Sequence, residues 1–212
     1  NFDGESLMIP LDISDVLKTS YLATTPSILA RYIRINSKKN ITHNLKTSGE
    51  IYYVLEGKGS SENRDDIIEW SKGDVFCFPG GKETEHSSIA DNSILFLVTN
   101  EPLLNFEQLS PSNNNSNILP SHWPHEKTSS FLEERYKRPK TKETSGVAVL
   151  FSTEETLPSR NTIPSINTSI NTLEAGGDQR PHRHNGVAIT LAIEGEKVYS
   201  LIEDQKIDWK NG

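Results

Sequence analysis

The sequence predicts an all-β fold made of two related β-barrels in tandem. Three observations lead there. Short apolar runs recur along the chain and are broken by Gly, Asn, Asp and Pro, the spacing of barrels and sandwiches. One pattern occurs twice: His43, six residues, Glu50, six residues, Gly57, and then His182-x-His184, three residues, Ala188, six residues, Gly195. Within it Tyr53–Gly57 and Leu191–Gly195 fall in matching places, as expected of two β units of common design. Finally, His182-Arg183-His184 stands between a turn-forming stretch (Gly176 to Pro181) and the apolar run Gly186 to Ile193.

In chain order, residues 1–30 read as a lead-in, with a short helix inside Ile13 to Leu22 capped by Asp12 or Ser14. The first barrel is expected over 31–109. Its strands are Ala30 to Ile35, Ile51 to Leu55, Ile67 to Trp70, Val75 to Phe78 and Ser93 to Val98. Residues 110–143 form a linker that begins with the polar tract Ser110 to Asn117 and includes a short helix at Phe131 to Tyr136. The second barrel is expected over 144–212. Its strands are Gly146 to Phe151, Ser165 to Leu173, Gly186 to Ile193 and Lys197 to Ile202.

Composition removes several function classes. The net charge is -7 and no Lys/Arg stripe offsets it, so nucleic acid is not an expected partner. The cluster Arg135 to Lys140 reads as a solvated helix end. No apolar stretch reaches the ~18 residues of a membrane span, and no signal-peptide pattern opens the chain. Cys77 is the only cysteine, which excludes an internal disulfide and suits a cytoplasmic setting. It lies in an apolar run and reads as a buried, inert thiol. The chain starts at Asn1 rather than Met and ends on a turn leading toward a further strand, as a fragment would. It carries no Gly-x-Ser-x-Gly, phosphate loop or Cys-x-x-Cys.

The His182/His184 pair carries the clearest chemistry. On a strand, residues two apart share a face, so both imidazoles can converge on one metal ion. Gly186, Ala188, Thr190 and Ala192 would share that face and are small, leaving a pocket. Val187, Ile189, Leu191 and Ile193 would pack on the other. Arg180 and Arg183 are candidates to pair with a substrate carboxylate, and Gln179, Asn185 and Thr190 to contact the ligand. By contrast, His122-Trp123-Pro124-His125 reads as a surface or interdomain contact.

Together these stretches resemble a bicupin, two small barrels of the cupin superfamily in tandem. Gly73 to Gly81 followed by His86 resembles the second cupin motif of the first barrel. His182 through Gly195 resembles the first motif of the second barrel, which would be incomplete at Gly212. Gly49 to Val54, Gly73 to Gly81 and Pro181 to Asn185 are, more narrowly, similar to the gentisate 1,2-dioxygenase group. The resemblance implies tandem jelly-roll barrels, Fe(II) or another divalent metal, and ring cleavage of an anionic hydroxylated aromatic acid by O2, in a homo-oligomer. Two departures follow from the residues. Leu45 stands at the first barrel's second histidine position, leaving His43, Glu50 and His86 as a vestigial metal site. Ala188 stands at the second barrel's glutamate position, leaving a neutral nitrogen set at His182 and His184, whose third partner is expected beyond Gly212. The alternatives are a non-catalytic cupin that binds a small ligand, and a cupin isomerase or lyase.

Overall fold

The structure is a computed structural model and describes residues 5–112, 116–138 and 146–212. It divides into two compact units, Asn1–Pro181 and His182–Gly212.

The first unit opens with strand β1 (Leu7–Pro10), helix α1 (Ser14–Leu17) and strand β2 (Leu29–Asn36). Strands β3 (Asn40–Asn44), β4 (Gly49–Glu56), β5 (Lys58–Asn63) and β6 (Asp66–Ser71) follow. Next come β7 (Val75–Pro79), β8 (Glu83–Ser88), β9 (Asn92–Thr99), helix α2 (Glu101–Phe106), β10 (Ser121–Trp123) and helix α3 (His125–Tyr136). Ten strands make two antiparallel sheets, one ordered β1-β2-β9-β4-β7-β10 and the other β3-β8-β5-β6.

Alternation along the strands creates the core. Tyr52 and Val54 on β4, Phe76 and Phe78 on β7, Leu95 and Leu97 on β9, and Ile33 and Ile35 on β2 all point one way. They meet Ile68 and Trp70 from β6. The opposite face of the larger sheet is also covered: Ile51 and Cys77 pack against Ile118, Ile163 and Ile166. This double burial explains why β4 and β7 read as nearly continuous apolar runs. Cys77 is fully buried, and that apolar setting pushes its thiol pKa up.

Gly73 supplies the turn between β6 and β7. Its φ is +90°, a region that L side chains avoid, and a Cβ would lie 2.5 Å from the His125 ring. The expected helix in Ile13 to Leu22 is a single turn, stopped by Lys18 at φ 55°. Asp12 Oδ1 accepts the Ser14 and Ala23 N–H groups at 3.0 and 2.9 Å, so it holds that turn against the chain that follows. Helix α3 begins six residues earlier than expected, at His125. There Asp74 accepts the His125 N–H at 2.8 Å and the His122 ring at 3.0 Å. His122 and His125 thus anchor a helix start within the first unit.

Residues expected in the second barrel divide between the units. Strands β11 (Val147–Phe151) and β12 (Thr168–Thr172) pair with each other, and Phe151 lies 5.4 Å from the Trp123 ring. With Ile163 and Ile166 they belong to the first unit. The second unit holds one hairpin, β13 (Tyr199–Ile202) with β14 (Gln205–Asp208), turned at Glu203 with φ 53°. The expected strand Gly186 to Ile193 does not form. No described strand lies beside it to take its backbone N–H and C=O groups, and Val187 and Ile193 stay exposed. The tract Ser110 to Asn117 and the cluster Arg135 to Lys140 fall partly outside the described residues. Among the described residues no helix is long and apolar enough to cross a membrane.

Candidate functional site

Two histidine pairs stand out, in opposite environments. The first is buried between the two sheets of the barrel. The smaller sheet contributes His43 from β3, Ser61 and Asn63 from β5, and Thr84 and His86 from β8. Glu50 and Tyr52 come from β4 of the larger sheet, two residues apart and so on one face.

Most polar atoms of this cluster are drawn into one network; His43 Nδ1, Glu50 Oε1 and Asn63 Oδ1 are not. His43 Nε2 and His86 Nε2 are 3.1 Å apart, and Tyr52 Oη is 3.2 Å from His43 Nε2. The Tyr52 and Thr84 hydroxyls both donate to Glu50 Oε2, at 2.7 and 2.8 Å. Asn63 donates to Thr84 Oγ1 at 2.7 Å. Ser61 Oγ lies 2.6 Å from His86 Nδ1 and accepts the Trp70 indole N–H at 2.8 Å. The Tyr52 ring stacks on Phe76 at 4.5 Å. His43 Nδ1 and Glu50 Oε1 face each other at 3.7 Å, each lacking a hydrogen-bond partner.

Burial sets the charge state. Glu50, Tyr52 and His86 have no solvent exposure. Desolvation pushes the Glu50 carboxyl up to about 8, against the Tyr52 and Thr84 hydrogen bonds that favour the anion. It pulls His43 down to about 4, aided by the positive charge of Arg31, and His86 well below the ordinary histidine value, aided by His43. His43 and Glu50 therefore sit as neutral neighbours and not as an ion pair. Leu45, at the missing histidine position, packs against the apolar core.

The second pair is the one the sequence favours for a metal. His182 and His184 lie in an irregular segment, both exposed, with ring centroids 4.9 Å apart and planes at 88°. The face of small residues expected beside them does not exist, because the segment is not a strand. Gln179, Arg180, Arg183, Asn185 and Thr190 are likewise exposed. Among the described residues no three His, Cys, Asp or Glu side chains are arranged to hold a metal ion.

Sequence reasoning placed His43, Glu50 and His86 together and missed Ser61, Asn63, Thr84 and Trp70 as their partners. A signal existed: Ser61 and Asn63, like Thr84 and His86, recur with the period of two that marks one strand face.

No protein-family model matches the chain. A 5-aminosalicylate 1,2-dioxygenase of Comamonas sp is 28% identical over 81 residues, covering 38% of this chain and 22% of that protein. A gentisate 1,2-dioxygenase of Haloferax sp is 35% identical over 54 residues, covering 26% and 15%. The chain thus spans less than a quarter of either relative. Among solved structures, a salicylate 1,2-dioxygenase variant from Pseudoaminobacter salicylatoxidans in complex with gentisate superposes with a TM-score of 0.55 at 14% identity. That match covers 74% of this chain and 54% of the other, and it shows a shared fold.

Proposed function

From a cupin jelly roll that resembles the gentisate dioxygenase group, we propose that this chain is part of a ring-cleaving dioxygenase. Its substrates would be an anionic hydroxylated or aminated aromatic acid and O2. The observation that carries this reading is the local sequence likeness to two 1,2-dioxygenases of substituted benzoates.

Such chemistry calls for a metal, iron by the resemblance, and the described residues do not complete a site for one. In the barrel, an apolar Leu45 and the Tyr52 hydroxyl stand where donors and open positions would be needed. His182 and His184 offer two adjacent, exposed imidazoles, and no third ligand joins them among the described residues. We assign the barrel a scaffold role and the His182/His184 segment the metal-facing role. Arg180 precedes that pair and Arg183 lies between its members, and both suit bidentate pairing with the substrate carboxylate. No catalytic step is assigned to any residue.

One feature supports a second reading, a non-catalytic cupin that binds a small ligand: apolar Leu45 stands at the first barrel's second histidine position and packs against the core.

Oxygen uptake separates the two. The full chain is loaded anaerobically with Fe(II) and supplied with gentisate, 5-aminosalicylate or salicylate. Uptake that requires Fe(II) and one of these acids, and that His184→Ala removes, is the expected result. Absence of both Fe(II) binding and uptake refutes the dioxygenase and leaves the ligand-binding cupin.

A further inference from the structure

The larger sheet carries a second polar group on its inner face, besides the histidine cluster. Arg31 on β2 keeps the parity of Ile33 and Ile35, and Thr99 on β9 that of Leu95 and Leu97, so both point into the barrel. Arg31 Nη1 donates to Thr99 Oγ1 at 3.3 Å and to Oε2 of Glu101, the first residue of α2. The Thr99 hydroxyl donates to the same carboxylate oxygen at 2.7 Å. A guanidinium carries five donors, and each hydrogen bond that Arg31 makes leaves through Nη1. Nε and Nη2 have no acceptor among the described residues, yet neither is sealed from solvent. Glu101 answers the fork with one oxygen, so the two-pronged grip that makes arginine–carboxylate pairs strong is left unused.

The two partners differ in freedom. The Arg31 side chain is 6% exposed and springs from the middle of the sheet, whereas that of Glu101 is 13% exposed at a helix start. The backbone beside Glu101 is pinned. Asn100 accepts the Thr47 hydroxyl and the Ser48 N–H at 2.7 and 2.9 Å, and donates to the Ser48 and Ser165 hydroxyls at 3.0 Å. Only the Glu101 side chain is therefore free to leave. A buried guanidinium left without a counter-charge is costly, so Glu101 departs only in exchange for another anion. We infer that Glu101 stands in for a ligand, and that Arg31 anchors a site for a small organic carboxylate. The ligand displaces the Glu101 side chain and adds the bond to Nη2 that Glu101 does not make. A halide cannot span two donors, so the fork selects a carboxylate. The site needs neither metal nor O2 and is separate from Arg180 and Arg183, so it stands or falls apart from the dioxygenase reading.

The Arg31 Nε–H signal reads the site. In the full chain, metal-free and labelled with 13C and 15N, through-bond correlations from the Arg31 backbone assign that signal without any variant. Propionate, which has the end of a glutamate side chain, is titrated against sodium chloride at equal ionic strength. In wild type, propionate is expected to shift the Arg31 signal saturably and chloride to leave it in place. Glu101→Gln, which removes the internal competitor, should lower the Kd for propionate by about tenfold. Should that variant fail to fold, Glu101→Asp, whose shorter carboxylate competes less well, is titrated instead and should also bind more tightly than wild type. No shift in wild type, an equal shift with chloride, or a Kd unchanged by the Glu101 substitution would overturn the inference and leave the pair a structural tie between β2 and α2.

Discussion

The two histidine pairs share a residue type and differ in everything else. His43 and His86 sit on paired strands, buried, neutral and bonded to Tyr52 and Ser61. His182 and His184 sit two residues apart on an irregular, exposed segment. Burial alone explains the contrast. Inside the barrel, each ring nitrogen must be matched by a protein group or left at a cost of several kcal/mol, so the site fills itself. At the surface, both rings lie within reach of water. Motif spacing favours His182 and His184 over His43 and His86. Ligand capacity depends on what surrounds them.

Removing the buried cluster's central ring is the severest test. Tyr52→Ala should destabilise the chain by about 3–5 kcal/mol, the usual cost of deleting a buried aromatic. It removes the stack on Phe76 and one donor to Glu50 together. Urea denaturation measures it, and a loss under about 1 kcal/mol would mean that the cluster does not hold the sheets together.

Thr84→Val asks for less. It keeps the shape but removes a donor to Glu50 and the acceptor for Asn63. The expected loss is about 1–3 kcal/mol in the same assay.

Stability against pH sharpens the contrast further. His43 and His86 have lowered folded pKa values, so as pH falls below 6.5 the unfolded chain takes up protons first and stability drops, for His43 down to about 4. Glu50 works in the other direction. Its folded pKa is raised from 4.5 to about 8, so its contribution is full below 4.5 and is lost as pH rises toward 8. Two histidines outweigh one carboxyl below 6.5, and above it only the carboxyl acts. The cluster's contribution is therefore greatest near pH 6.5. Glu50→Gln should abolish the decline between 6.5 and 8, as read from denaturation midpoints across pH. A midpoint difference between wild type and variant that does not change over that range would contradict the buried neutral carboxyl.

The exposed pair gives the smallest effect. His182→Ala should change stability by less than about 0.5 kcal/mol, as for other surface positions. A larger loss would show that this segment is held by the ring.

Much of the fold was legible in strands whose apolar residues alternate. β2, β4, β7 and β9 follow directly from Ala30 to Ile35, Ile51 to Leu55, Val75 to Phe78 and Ser93 to Val98. β3, β5 and β8 were not read, because their inward faces carry His43, Ser61, Asn63, Thr84 and His86, which are stabilised by hydrogen bonds and give no apolar period. The run Gly186 to Ile193 has the composition of a strand and lacks a neighbour to pair with, a condition that sequence periodicity does not express. For the site, spacing grouped His43, Glu50 and His86, and the structure places His43 beside both of the others. It could not show that Tyr52 reaches across Glu50 to His43, since that depends on the packing of its ring against Phe76.

The most direct test is which pair a metal follows. Fe(II) bound per chain after anaerobic loading and desalting should be measured for wild type, His184→Ala and His86→Asn. The account predicts that His184→Ala loses the metal while His86→Asn retains it. Metal that persists in His184→Ala and disappears in His86→Asn would place the ion inside the barrel and contradict the account.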